Sequence, residues 1–206
     1  MAMRIVVFSG SSGAGKTTIV GELLNGDLSH LVELIVSETT HGPRPDNLPG
    51  EYRQRTEKEL EILDDSGELL WRIKKGEDWY GTRKEPVNVL LAKPRKISLM
   101  ILTPERVLEI KNYVSAYNSR HQTEFSVYAI YILSPGGEEL RRRMREQGRS
   151  EEEIRLRLHD DRGWDVAAKR MGIFDDFLEN SENDGGEKAA IYVANKILAF
   201  SKELPR

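Results

Sequence analysis

The sequence predicts an α/β fold: an open parallel sheet with helices on both faces. Three observations predict it. Short apolar runs alternate with amphipathic stretches in the order β-α-β, an interruption, then β-α-β-α-α-β-α. A glycine-rich turn, Gly10-Ser-Ser-Gly-Ala-Gly15-Lys16-Thr17, joins the first apolar run to the first helical one. The texture changes between Ser37 and about Lys93, where charge is dense and prolines cluster, so a small mixed insertion is expected on the core sheet.

Residues 5–8, Ile-Val-Val-Phe, read as a buried strand because they are apolar, β-rich and bounded by Gly and Ser. Residues 16–24 read as a helix, with Ile19, Val20, Leu23 and Leu24 on one face and Asn25-Gly26 as its stop. Residues 31–36 read as a second strand, parallel to the first because the connection holds a helix. Inside the insertion, 57–63 reads as a short helix. Residues 68–73 and 86–91 read as strands, with Trp79-Tyr80-Gly81-Thr82 between them. Residues 97–102 return to a buried strand. Pro104 can open a helix, expected to run to about Tyr117. Residues 125–133 form the strongest strand pattern, ended by Pro135-Gly136-Gly137. Residues 138–147 and 150–171 read as helices, with Gly148 between them and Ser150/Glu153 spaced as a capping box. Residues 174–178 read as a last strand and 187–200 as a closing helix. The stretch 180–186 is the loop-like, low-hydrophobicity segment.

Composition narrows the function classes. The chain has 206 residues, net charge −3 and 38% hydrophobic residues, as expected of one domain or a core with insertions. It has no cysteine, which excludes a disulfide scaffold, cysteine-ligated zinc, an iron–sulfur cluster and a thiol nucleophile. The four histidines lie far apart, which argues against a His-rich metal site. The mild acidic excess gives no global pull toward nucleic acid. No apolar run is long enough to span a membrane. The expectation is a cytoplasmic protein that uses neither nucleic acid nor membrane.

Residues 10–17 fit G-x-x-x-x-G-K-[ST], and a strand before and a helix after are the context that motif requires. Its backbone N–H groups can face a phosphate, and the helix N-terminus favours the anion. Lys16 can reach the β- and γ-phosphates, and the Thr17 hydroxyl can coordinate Mg²⁺. The donor site is therefore expected at Gly10, Ser11, Ser12, Gly13, Ala14, Gly15, Lys16, Thr17 and Thr18. The core is expected to be P-loop NTPase-like. The later strands end Leu102-Thr103 and Leu133-Ser134 and supply no Asp for the metal, unlike motor and switch ATPases. Small size, the insertion and an arginine-rich helix pair suit a small kinase with a closing lid. Glu38, at a strand end near the loop, could orient metal-bound water or an acceptor.

Beyond that loop, the chain resembles the guanylate kinase family over nearly its whole length. Ser37-Glu-Thr-Thr40-His41-Gly-Pro-Arg44-Pro resembles the family's S-x-T-T-R-x-P-R-P, Gly50-Glu-Tyr52 its G-x-D-Y, and Tyr80-Gly-Thr82 its Y-G-T. Arg143-Met144 through Ile154-Arg-Leu-Arg157-Leu158 resembles the lid pattern. The resemblance implies a core of residues 1–37 and 94–206, with a lid at about 141–160, and an acceptor-binding insertion at 38–93. It implies that ATP, with Mg²⁺, phosphorylates a nucleoside monophosphate, GMP by default. Ser37, Thr40, Arg44, Tyr52, Trp71, Tyr80 and Thr82 would bind the acceptor. Lys16 and the lid arginines Arg143 and Arg157 would be catalytic, and Asn180 would lie beside the donor adenine. Such enzymes are monomers or homodimers.

Departures from the family pattern fall mainly on the base-reading side. The first acceptor arginine is His41. The guanine-reading glutamate falls on Trp71, unless a three-residue shift makes it Glu68. The acidic strand L-D-I-D reads Leu99-Met-Ile-Leu102. The lid R-G reads Gln147-Gly148, with Arg145 or Arg149 as a stand-in. The alternatives are therefore a kinase of the same scaffold acting on another phosphorylated acceptor, such as a different or modified nucleotide or a sugar phosphate, and a non-catalytic module that binds a protein partner.

Overall fold

Residues 2–44, 47–93, 96–180 and 186–202 are described by a computed structural model. In chain order the elements are β1 (Ala2–Gly10), α1 (Lys16–Asn25), β2 (Val32–Leu34), β3 (Ser37–Thr39), β4 (Tyr52–Gln54), α2 (Glu57–Asp65), β5 (Leu69–Lys75), β6 (Asp78–Arg83), α3 (Lys84–Ala92), β7 (Ile97–Ile101), α4 (Pro104–His121), β8 (Phe125–Leu133), α5 (Gly137–Glu146), α6 (Glu151–Asp160), α7 (Trp164–Met171), β9 (Asp176–Glu179) and α8 (Glu187–Ser201).

β1 is buried on both faces, so it reads as a continuous apolar run rather than an alternating one. It lies at the centre of a five-stranded sheet ordered β2-β7-β1-β8-β9, and every pairing in it is parallel. Successive side chains of β1 point to opposite faces. Val6 and Phe8 pack with Ile19, Val20 and Leu23 of α1 and Val193 and Ile197 of α8. Ile5 and Val7 pack with Val87 and Leu91 of α3 and Val107, Ile110 and Val114 of α4. Two helical layers thus cover the sheet, and the C-terminal ends of β1 and β7 open on one crevice, where ligands of such sheets sit.

A second sheet, ordered β4-β3-β6-β5, is built from residues between 37 and 83. β3 pairs with β4 in parallel and with β6 antiparallel; β5 and β6 form a hairpin. α2 is fixed at its start by a complete capping box between Thr56 and Glu59.

Several local expectations are corrected. Residues 86–91 are helix α3, not a strand: Val87, Leu90 and Leu91 are buried at helical spacing, and Pro86 falls in the first turn, where its missing N–H costs nothing. Trp79 to Thr82 is not a connection but part of strand β6. The stretch 150–171 is two helices, broken where Gly163 adopts φ +81°, a conformation that stops α6 from continuing. β2 is only three residues long. β9 begins at Asp176, because Phe174 instead packs its ring 5.1 Å from that of Tyr131. At α6, Ser150 accepts from the Glu153 N–H, but the Glu153 carboxylate turns to Arg149 and Arg157. Of the stretch 180–186, residues 181–185 lie outside the described residues.

Candidate active site

The phosphate loop follows directly from the end of β1. Gly15 takes φ +95°, and a Cβ there would lie 1.9 Å from the Asn180 Nδ2, so two independent constraints demand glycine. Asn180 is buried and donates to the Ala14 carbonyl at 2.7 Å, holding the loop from behind. Ser11 and Ala14 are buried within the loop, whereas Gly10, Ser12, Gly13, Gly15, Lys16, Thr17 and Thr18 line a cleft of about 190 Å³. The Lys16 ammonium donates to the carbonyls of Gly10 and Ser11, both at 2.8 Å. Burial pushes its pKa down to about 8, and the nearby cations Lys75 and Arg157 add to this against Asp161 and Glu51.

The facing wall of the cleft comes from the second sheet. The Ser37 and Thr82 hydroxyls pair at 3.1 Å across β3 and β6. Tyr52, Tyr80 and His41 form an aromatic trio, with ring centroids 5.0–6.0 Å apart. Burial raises the Tyr52 phenol well above its usual range, so it stays a neutral donor. His41 is buried, and burial lowers its pKa, so it is a neutral ring at pH 7 rather than a cation. Arg44 stands beside this trio, held by Asp78 at 3.0 Å. Burial works against the Arg44 charge, but Tyr80 and Asp78 favour it more.

Ser37, Arg44, Tyr52, Trp71, Tyr80 and Thr82 all line the same cleft as the phosphate loop. Trp71 does so only with an edge: it is 6% exposed and packs in the core beneath α3 and α4. Glu68 is exposed and bonded to Arg83 at 2.8 Å, which leaves it no path to the cleft. Thr40 is not on the cleft wall. Its hydroxyl accepts from the Trp79 N–H at 2.9 Å and braces the sheet. Glu38 is likewise turned away, paired with Arg55 at 2.8 Å.

The lid arginines divide. Arg157 and Arg149 line the cleft, held in parallel by Glu153 at 3.1 and 2.7 Å. Arg149, not Arg145, therefore stands near the place left by Gln147; Arg145 is exposed against Glu151. Arg143 lies behind the loop rather than in the cleft. It donates to Glu139 at 2.6 Å and to the Asn180 carbonyl at 3.2 Å. Arg142 and Arg143 hold the Glu139 carboxyl down at about 2.

Sequence reasoning missed Lys75, Arg106, Asp161 and Trp164. Lys75, Arg106 and Trp164 line the cleft. The Asp161 carboxylate accepts from the Ser12 N–H at 2.5 Å and from Lys75 at 2.8 Å. Nothing in the stretch His-Asp-Asp-Arg-Gly marks it, because its partner Ser12 is 149 positions away. No group of three or more His, Asp or Glu side chains among the described residues could hold a metal by itself. Thr17 is half-buried on the cleft wall. No helix among the described residues is long and apolar enough to cross a membrane.

Comparison with known proteins agrees with this geometry. A guanylate kinase of Mesorhizobium japonicum is 32% identical over 151 residues, 73% of this chain and 64% of the relative. The chain thus spans just under two thirds of the length of that relative. A guanylate kinase of a Synechococcus species is 33% identical over 188 residues, 90% of this chain and 78% of the relative. The crystal structure of a guanylate kinase from Anaplasma phagocytophilum superposes with a TM-score of 0.65 at 19% identity, covering 96% of this chain and 86% of that one, which shows the shared fold. The family model described as guanylate kinase matches residues 2–187, and the chain belongs to the guanylate kinase family.

Proposed function

We propose that the protein transfers the γ-phosphoryl group of ATP to the phosphate of a nucleoside monophosphate, converting GMP to GDP as its relatives are named for doing. One observation carries this reading: the phosphate loop, the Arg44–Tyr52–Tyr80 cluster and the arginines Arg149 and Arg157 all line a single cleft. In the reaction, an oxygen of the acceptor phosphate forms a bond to Pγ, the bond from Pγ to the β,γ-bridging oxygen breaks, and ADP leaves with that electron pair. The acceptor is already anionic, so no strong general base is required. The transition state is loose, and positioning with charge stabilisation supplies most of the catalysis.

Each group then has a task. The loop amides and Lys16 hold the β- and γ-phosphates; binding there trades the Gly10 and Ser11 carbonyls for phosphate oxygens. Arg44 and the phenol hydroxyls of Tyr52 and Tyr80 hold the acceptor phosphate. Arg149 and Arg157 neutralise charge on the group in flight. Arg143 and Asn180 act indirectly, by fixing the back of the loop. The Thr17 hydroxyl would hold Mg²⁺, which would supply further charge neutralisation on the phosphates. A cytoplasmic monomer or homodimer is the setting this reading implies.

A second acceptor class is favoured by one feature. Among the described residues lining the cleft, the only carboxylate is Glu51, which already accepts from the Leu48 N–H at 2.9 Å. No carboxylate stands ready for the guanine N1–H and amino group. The same scaffold acting on another phosphorylated acceptor is the alternative reading that this feature favours. ADP release from Mg·ATP, measured with GMP, dGMP, AMP, CMP, UMP and sugar phosphates in turn, tests both. Turnover stimulated by a nucleoside monophosphate supports the first reading, stimulation by another phosphate ester alone supports the second, and no stimulation by any acceptor overturns both.

A further inference from the structure

Asp161 and Lys75 form a junction beside the cleft. Asp161 lies at the end of α6, Lys75 at the end of β5, and Ser12 in the phosphate loop, so one carboxylate ties together three separate parts of the chain. The side chain of Asp161 is only 3% exposed. One oxygen accepts from the Ser12 N–H at 2.5 Å and the other from the Lys75 ammonium at 2.8 Å. The Lys75 ammonium also sits 4.3 Å from the centre of the Trp164 ring, which walls it on the side of α7. Lys75 lines the same cleft as Lys16 and lies close enough to depress the pKa of Lys16.

A carboxylate between a loop amide and an ammonium has the same requirements as a phosphate oxygen: negative charge and two charge-assisted acceptor contacts. We propose that Asp161 stands in for an oxygen of the γ-phosphate and that Lys75 is a catalytic cation for the transferred group. When ATP enters, the γ-phosphate takes the Ser12 N–H and the Lys75 ammonium, and Asp161 withdraws by the repulsion of two like charges. Lys75 belongs to the second sheet, so it brings to the group in flight a cation from an element other than the phosphate loop. The inference rests on the reading of the cleft as an ATP site, and it concerns only the γ-phosphate.

That restriction supplies the test. A fluorescent non-hydrolysable ATP analogue and fluorescent ADP are titrated, without acceptor, into wild-type protein and into the Asp161→Asn, Lys75→Ala and double variants. Turnover is measured alongside. Asp161→Asn keeps the shape but removes the competing charge, so it binds the ATP analogue about tenfold more tightly, with ADP unchanged. Lys75→Ala weakens the ATP analogue by about tenfold or more, leaves ADP unchanged, and lowers turnover by about a hundredfold. The double variant recovers affinity for the analogue but not turnover. Equal weakening of ATP and ADP in Lys75→Ala, or unchanged or weaker ATP binding in Asp161→Asn, would make the junction a structural tie only and overturn the proposal. If Asp161→Asn does not fold, the ATP-to-ADP comparison in Lys75→Ala decides alone. Wild-type protein that binds neither nucleotide would instead remove the reading of the cleft itself, and this inference with it.

Discussion

The Asn180 side chain and the backbone of Gly15 occupy neighbouring space so closely that a single methyl group would not fit between them. The Asn180 amide donates to the Ala14 carbonyl, and a Cβ on Gly15 would lie 1.9 Å from its nitrogen. Asn180 is therefore a buttress of the phosphate loop. Gly15→Ala should lose nucleotide binding and destabilise the fold by about 1–3 kcal/mol, since it adds a left-handed alanine to that collision. Urea unfolding and nucleotide titration check the two effects separately.

Lys16→Ala should lower turnover by roughly 10³–10⁵, the scale on which a phosphate-binding cation matters in such enzymes. The fold should survive it. Burial depresses the pKa of this lysine to about 8, so at pH 7 the folded state carries a charge it disfavours. The unfolded chain binds the proton more tightly, and wild-type stability should rise as pH climbs from about 8 toward the ordinary lysine value. Lys16→Met should flatten that rise. Thermal melts between pH 7 and 10 measure it.

The same lowered pKa has a consequence for binding. ATP affinity should weaken as pH rises through about 8 in the free protein, because the neutral amine offers the phosphates no charge. Loss of affinity should be absent from Lys16→Met. Nucleotide titrations across that range would show it, and a wild-type affinity that does not change between pH 7 and 9.5 would contradict it.

Arg44→Ala should raise the KM for the acceptor by roughly 10- to 100-fold with a smaller effect on kcat, the size of a lost hydrogen bond to a charged group. Its ion pair with Asp78 is about a quarter exposed, so stability should change little. Acceptor-dependence curves and a melt distinguish the two.

The central strands, the phosphate loop and the cleft tyrosines Tyr52 and Tyr80 were legible because each is signalled locally. β1 and β8 carry β-rich apolar runs bounded by Gly, Ser and Pro, and β8 matches its expected limits of 125–133. Residues 86–91 read as a strand because a short apolar run has no strong period; they form α3, with Val87, Leu90 and Leu91 buried at helical spacing. Arg143 was expected in the cleft from its lid pattern alone, yet Glu139, four residues earlier on α5, draws it behind the loop. Asp161 and Lys75 were invisible for a different reason. Their importance arises from a contact with Ser12 across most of the chain, and neither stands in a motif.

Trp71 sets the expectation for the acceptor base. Its burial makes Trp71→Ala costly, about 3–5 kcal/mol, as for other large buried aromatics. Its indole can only donate, so it cannot read guanine as a carboxylate does. The preference for GMP over AMP in kcat/KM should stay below about a thousandfold, since two charge-assisted bonds of roughly 1.5–3 kcal/mol each are missing. Parallel kcat/KM determinations for the two nucleotides decide this, and a larger preference would mean that another cleft group reads the base.

The claim that matters most is that the cleft joins a nucleotide donor to a phosphate acceptor. A single-turnover reaction with ATP labelled at the γ-phosphate, Mg²⁺ and GMP tests it most directly, followed by separation of nucleotides from inorganic phosphate. The label should appear at the β-position of GDP, at a rate that Lys16→Ala reduces by roughly 10³ or more. Label recovered only as unreacted ATP or as inorganic phosphate, with every nucleoside monophosphate supplied, would contradict the assignment of this cleft to nucleoside monophosphate phosphorylation.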